Sequence, residues 1–127
     1  MPTAVVLGAS LNRSKFGNKA VRAFQKAGWT VIPVNPRETE IEGIQCAMDL
    51  GAVRRHPEVL SVYLQPQIVA DLASAIAALA PTEVWLNPGT SNALVVEALV
   101  RHSLTLVHDC TLVRLGMNPG DFPEGID

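Results

Sequence analysis

One local pattern constrains this chain more than any other: an apolar run that ends in glycine, a polar turn, an amphipathic stretch, and a second apolar run. Val5, Val6 and Leu7 are continuous apolar residues, as a strand buried on both faces of a parallel sheet requires. Gly8 follows, where the backbone has to turn sharply and leave room for a ligand. Phe16, Ala20, Ala23, Phe24 and Ala27 recur at helical spacing, and Gly28 stands where a helix C-terminus is closed. Val31, Ile32 and Val34 make a second strand, stopped by Asn35-Pro36. This is half of a nucleotide-binding βαβ unit, with a helix N-terminus aimed at the place of a phosphate.

The unit departs from the dinucleotide fingerprint G-x-G-x-x-G, because Gly8 is followed by Ala9, Ser10, Leu11 and Asn12. Where an Asp or Glu would hold a ribose diol at the end of the second strand, the chain has Asn35, Pro36 and Arg37. An amide and a cation there suit a nucleotide with an additional phosphate better than a bare ribose.

The remaining sequence continues the alternation. Arg37 to Pro57 is a polar connection with one helical turn near Met48 to Val53. Val59 to Leu64 is a third strand, and Pro66 opens a helix that keeps one apolar face to Pro81. Glu83 to Leu86 is a fourth strand; Ser91 or Asn92 caps a helix to about His102, with Leu94, Val95, Ala98 and Leu99 inward. Leu104 to Val107 is a fifth. The fold class is therefore α/β: one doubly wound, Rossmann-like domain over residues 1–116, with a five-stranded parallel sheet ordered 3-2-1-4-5. An irregular tail, 117–127, is expected on the surface.

Such a sheet binds ligands at the carboxyl ends of its strands. That edge gathers Gly8-Ala9-Ser10, Asn35-Pro36-Arg37, Gln65-Pro66 and Asn87-Pro88-Gly89, together with the helix start at Phe16-Gly17. Small side chains and free amides admit a flat, phosphate-bearing ligand. Ser10 is a phosphate-side donor, and Arg13 and Lys15 are cations within reach of a phosphate. Arg22 reads as ordinary surface.

V-x-G-A-S at the first turn, P-V-N-P after the second strand, W-L-N-P-G-T-S-N after a later one and C-T-L-V-R-L near the end occur in order from about Ala4 to Leu115. In these motifs the chain resembles the small stand-alone CoA-binding proteins, whose Rossmann-like domain is similar to the N-terminal CoA-binding domain of the succinyl-CoA synthetase alpha subunit. The resemblance implies CoA or acyl-CoA as ligand, contact at Asn35-Pro36, and a basic residue near the nucleotide at Arg37. The phosphohistidine loop of the synthetases belongs to a further domain that this chain is too short to contain, so ligase activity is not implied.

Composition narrows the class. The 127 residues, 48% of them hydrophobic, suffice to bury about two-thirds of the unfolded surface in one core. A net charge of −2 gives no global field favouring nucleic acid or an anionic membrane. The apolar runs are too short for a bilayer, and Met1-Pro2 leads into the first strand without a signal peptide. Cys46 and Cys110 read as reduced thiols of a cytoplasmic protein. Neither they nor the histidines have metal-ligand spacing. His108, Asp109 and Cys110 are consecutive, so along a strand they point to alternate faces and do not form a triad. Three readings follow: a non-catalytic CoA or acyl-CoA binding module, a small NAD(P)-binding oxidoreductase, and a ligand-free interaction subunit with the same fold. Oligomeric state is open, with a homodimer as the prior for small chains.

Overall fold

The computed structural model describes residues 1–124. The last three positions of the tail expected at 117–127 lie outside the described residues. In chain order the elements are β1 (Thr3–Leu7), α1 (Phe16–Lys26), β2 (Thr30–Val34), β3 (Glu40–Ile41), β4 (Ile44–Gln45), a 3₁₀ turn (Leu50–Ala52) and β5 (Val59–Val62). Then come α2 (Pro66–Asp71), α3 (Ala73–Leu79), β6 (Glu83–Leu86), α4 (Ala93–Val100), β7 (Leu106–Val107), α5 (Thr111–Arg114) and a second 3₁₀ turn (Pro119–Asp121).

The main sheet is parallel throughout, in the order β2-β1-β5-β6-β7. β1 and β5 are buried along their whole length, which explains their unbroken apolar or small composition. The pleat sends Val5, Leu7, Leu60 and Val62 to one face, where they pack with Val69, Ile76, Val95 and Leu99 of α2, α3 and α4. Ala4, Val6, Val59 and Trp85 go to the other, against Ala20, Val21 and Phe24 of α1. There the fully buried Phe24 ring lies 5.0 Å from Trp29 and 6.0 Å from Trp85, centroid to centroid. Helices on both faces make the domain doubly wound, with the loops of the carboxyl edge gathered on one side.

The strand at Val59 is placed differently from the sequence reading. It lies beside β1, in register Ala4↔Val59 to Leu7↔Val62, and not outside β2. The edge beyond β2 is taken by a single parallel bridge, Val34↔Ala47. The Ala47 N–H bonds to Pro33 O (2.9 Å) and the Asn35 N–H to Ala47 O (3.0 Å). Pro33 turns its carbonyl to this segment and has no N–H to extend the ladder, so the outer strand stays rudimentary. With that bridge counted third, the order 3-2-1-4-5 holds, and β7 adds a sixth position.

Four further details differ from the periodicity reading. The helix expected from Pro66 to Pro81 is broken at Leu72 (φ −93°, ψ 4°), and α3 turns onto the Leu50–Ala52 turn. The polar connection contains the hairpin β3–β4, closed by Glu42-Gly43 with φ of 51° and 77°. Two positive φ values are what a two-residue hairpin loop of type I′ demands. In α4, Val95 and Leu99 are buried while Leu94 is exposed. Arg22 is buried and not surface, for reasons that involve the tail.

Candidate ligand-binding cleft

A cleft of about 860 Å³ opens at the carboxyl ends of β1, β2 and β5. Its floor is the turn after β1. Gly8 has φ +89°, and a Cβ there would lie 2.6 Å from the Tyr63 carbonyl oxygen. The turn has to be glycine for both reasons, because the exit of β5 passes against it; the Tyr63 N–H bonds to Leu7 O at 2.8 Å.

The loop after Gly8 holds its own shape. Ser10 Oγ accepts from the Asn12 N–H (3.1 Å), and Asn12 Oδ1 accepts from the Ser14 N–H (3.0 Å) and hydroxyl (2.7 Å). Asn12 O accepts from the Lys15 N–H (3.1 Å). α1 then begins with no side-chain cap and no acidic residue in its first turn. Helical geometry leaves its first N–H groups without intrahelical partners, so they carry partial positive charge toward the cleft, beside Lys15. Gly17 brings this terminus close: a Cβ on it would stand 2.5 Å from the Gly8 carbonyl oxygen. Here the glycine serves contact between helix and turn.

The opposite wall comes from β2 and the segment after it. Asn35 ties the two loops together. Its Nδ2 donates to Ala9 O (3.0 Å), while its Oδ1 accepts from the N–H groups of Arg37 (2.7 Å) and Glu38 (3.0 Å). Pro36, Met48, Asp49 and Leu50 complete this side, and Asp49 caps the 3₁₀ turn by accepting from the Ala52 N–H (3.0 Å). Tyr63, Leu64, Ile68 and Leu72 close the far end. Phe16, Met48 and Ile68 are large apolar side chains left exposed at the rim. Burial pushes the Tyr63 hydroxyl up to about 12, so it stays protonated at neutral pH. That hydroxyl lies near the Ser61–Thr111 hydroxyl pair (2.7 Å) without a well-formed bond to it.

Of the residues singled out from sequence, Gly8, Ala9, Ser10, Lys15, Phe16, Gly17, Asn35 and Pro36 converge on the cleft. Arg13 lies outside its lining, with Nε 3.5 Å from Glu42 Oε2. Arg37 is exposed, its N–H taken by Asn35. Gln65 and Pro66 form the N-cap and first position of α2, between the lining residues Leu64 and Ile68. Asn87, Pro88 and Gly89 line a separate cavity of about 340 Å³. The Asn87 side chain is internal: Nδ2 donates to Ser61 Oγ (3.1 Å) and Val62 O (2.9 Å), and Oδ1 accepts from the Thr111 N–H (2.7 Å).

His108, Asp109 and Cys110 share that second cavity, because β7 ends at Val107 and strand alternation does not extend to them. His108 Nε2 is 3.4 Å from Ser91 Oγ, while Asp109 Oδ1 accepts from the Cys110 N–H (2.7 Å). Among the described residues no group of three or more His, Cys, Asp or Glu is placed to hold a metal ion. Among the same residues, no helix is long and apolar enough to cross a membrane.

The cleft walls at Met48–Leu50, Tyr63–Leu64, Ile68 and Leu72 were not anticipated. The one signal for Tyr63 to Leu72 is topological, since a strand beside β1 brings its own following loop to the Gly8 turn; Met48–Leu50 follow the Ala47 bridge beyond β2.

Comparison with known proteins places this arrangement. No curated protein matches the chain. A Thermus thermophilus protein is 28% identical, with a TM-score of 0.81 over 90% of each chain. A conserved hypothetical protein of Pyrococcus furiosus is 25% identical, with a TM-score of 0.75 over 83% of this chain and 90% of that one. The dinucleotide forming acetyl-coenzyme A synthetase 1 of Ca. Korarchaeum cryptofilum shares the fold at 18% identity and a TM-score of 0.76; the match covers 98% of this chain and 30% of that one. The sequence profile of the CoA binding domain matches residues 2–116, nearly the whole doubly wound unit, and the chain belongs to that family.

Proposed function

We propose that the protein binds CoA or an acyl-CoA in the cleft between β1, β2 and β5, and that it does so as a binding module without chemistry of its own. The observation that carries this reading is the start of α1. An uncapped helix N-terminus, closed onto the Gly8 turn by the Gly17 contact and flanked by Lys15, is a ready site for a pyrophosphate. The adenosine end then lies toward Asn35-Pro36 and Met48–Leu50, and the pantetheine arm crosses the apolar rim of Phe16 and Ile68. Arg37, outside the lining but next to Pro36, is the cation for the ribose 3′-phosphate. Two free, half-buried thiols fit a reducing cytoplasmic setting.

The dinucleotide reading has one observation in its favour, the Asp49 carboxylate in the cleft wall. Its Oδ1 already holds the Ala52 N–H, and Asn35 occupies the end of β2. Parallel calorimetric titrations with CoA, dephospho-CoA and NAD decide between the two. CoA should bind and should raise the melting temperature, since ligand at 100 times its Kd stabilises by about 2.7 kcal/mol. Binding of NAD with no response to CoA overturns the proposal.

A further inference from the structure

We infer that the C-terminal segment from Met117 to Glu124 is a strap that holds the loop after Gly8 in its ligand-ready shape, with Arg22 as the positioning residue between them. The inference deepens the proposed function and rests on it for the identity of the ligand.

The strap is anchored by Phe122, which is buried with Ala23 of α1 and Leu112 of α5. Arg22, one residue before Ala23, lies beneath it with the guanidinium carbon 5.6 Å from the Phe122 ring centroid. Its fork reaches in three directions. Nη1 donates to Pro123 O (2.9 Å), Nη2 to Arg13 O (3.0 Å), and Nε to Asn18 Oδ1 (2.8 Å). Pro123 belongs to the strap, Arg13 to the loop and Asn18 to α1.

Asn18 passes the constraint on. It is fully buried, and its Nδ2 donates to Ser10 O (2.9 Å) and to Glu42 Oε2 (3.0 Å). Glu42 Oε2 is also 3.5 Å from Arg13 Nε. The loop is therefore gripped at Ser10 and Arg13, near the two ends of the turn between β1 and α1, by side chains that depend on one buried cation. Such a cation is stable only while its donors are matched, and the strap supplies two of the acceptors, Pro123 O and, at 3.5 Å from Nη2, Phe122 O. Releasing Phe122 and Pro123 leaves Arg22 short of both strap carbonyls and open to water, and weakens its hold on Arg13. Planarity and five fixed donors make this a role for Arg that Lys cannot fill.

Coupling of this kind is reciprocal: if the strap favours ligand, ligand favours the docked strap by the same factor. The primary test needs no variant. Amide hydrogen exchange of the wild-type protein is followed with and without saturating CoA. The Phe122 N–H, bonded to Pro119 O (3.1 Å), should exchange about tenfold more slowly with CoA, within the usual range of coupling between linked sites. Unchanged exchange across residues 118–124 in a protein that binds CoA overturns the inference.

Phe122→Ala and Arg22→Lys should each weaken CoA by a similar factor at 25 °C, where both remain folded by circular dichroism, and should speed exchange of the Ser14 and Lys15 amides. An affinity within twofold of wild type in both variants also overturns it. If the wild-type protein does not bind CoA, the proposed function fails separately, and the strap is judged by the Ser14 and Lys15 amides of Phe122→Ala alone. Faster exchange there sustains the brace; no change ends it.

Discussion

Replacing Gly17 by Ala tests whether helix and turn must touch for the cleft to work. At an unobstructed helical position this change stabilises by about 1 kcal/mol, because Ala is the better helix former. Here the added Cβ would stand 2.5 Å from the Gly8 carbonyl oxygen, a backbone atom with no rotamer to escape into. Relief to ordinary contact requires the start of α1 to move by about 0.9 Å, since such contacts begin near 3.4 Å (3.4 − 2.5). Overpacking of this size costs about 1–3 kcal/mol. The propensity gain offsets part of that, so net destabilisation should be about 0–2 kcal/mol. The melting temperature should fall by at most about 8 °C.

The effect on ligand should be larger than the effect on stability. A shift near 1 Å takes the α1 N–H groups out of line with an anion seated on the turn, and hydrogen bonds to charged groups are worth about 1.5–3 kcal/mol each. Loss of one such bond weakens CoA by roughly 10- to 150-fold. Gly28→Ala is the control. It has open space around its Cβ position but a φ of +84°, so it pays about 1–2 kcal/mol of left-handed strain at the far end of α1 and should leave affinity untouched. Calorimetry and thermal melts on the two variants give opposite partitions between affinity and stability. A Gly17→Ala protein that is more stable than wild type and binds CoA normally would refute the reasoning.

Three other outcomes are expected. Asn35→Asp keeps acceptors for the Arg37 and Glu38 N–H groups but sets a carboxylate against the Ala9 carbonyl, and should cost about 1–3 kcal/mol in chemical denaturation; an unchanged midpoint would show that the two loops are not tied there. Arg37→Ala should weaken CoA several-fold and leave dephospho-CoA unchanged, a modest effect because the residue is exposed; equal losses for both ligands would remove Arg37 from the 3′-phosphate. The Glu58 carboxylate accepts from the Thr3 N–H (2.6 Å), which holds it below the ordinary value of 4.5. Its contribution is therefore complete above that value and lost as pH falls through the lower folded one, so Glu58→Gln should flatten the acid limb of the stability profile.

What the sequence made legible was local. Gly8, the helix from Phe16, the closing Gly28 and the Asn92 cap each depend on residues within a few positions, and each forms where expected; Asn92 Oδ1 accepts from the Val95 N–H at 3.1 Å. Sheet order is a different kind of information. An apolar run at Val59 to Val62 reads the same whether it pairs with β1 or with β2, and Ala47, which takes the outer place, carries no strand signal at all. Arg22 was misread for a related cause. Helical period marks the face turned to the sheet, but a second face of α1 is covered by Phe122, one hundred residues away.

The two asparagines show where reading a site from residue types stops. Asn35 and Asn87 both end strands on the ligand-binding edge, and amides in such places suit a polar ligand. Asn87 is used inside the protein and Asn35, although it lines the cleft, has its amide engaged between two loops; each is donor and acceptor at once, as a carboxylate or a hydroxyl could not be in the same way. With those amides engaged, the proposed binding mode relies on backbone N–H groups, Lys15 and the apolar walls of the cleft. Backbone donors cannot be deleted by changing a side chain, but they can be displaced by changing what the backbone rests on. If CoA binds in this cleft as proposed, substitutions at the residues that shape the main chain, Gly8 and Gly17 foremost, should therefore cost more affinity than substitutions of the side chains exposed in it.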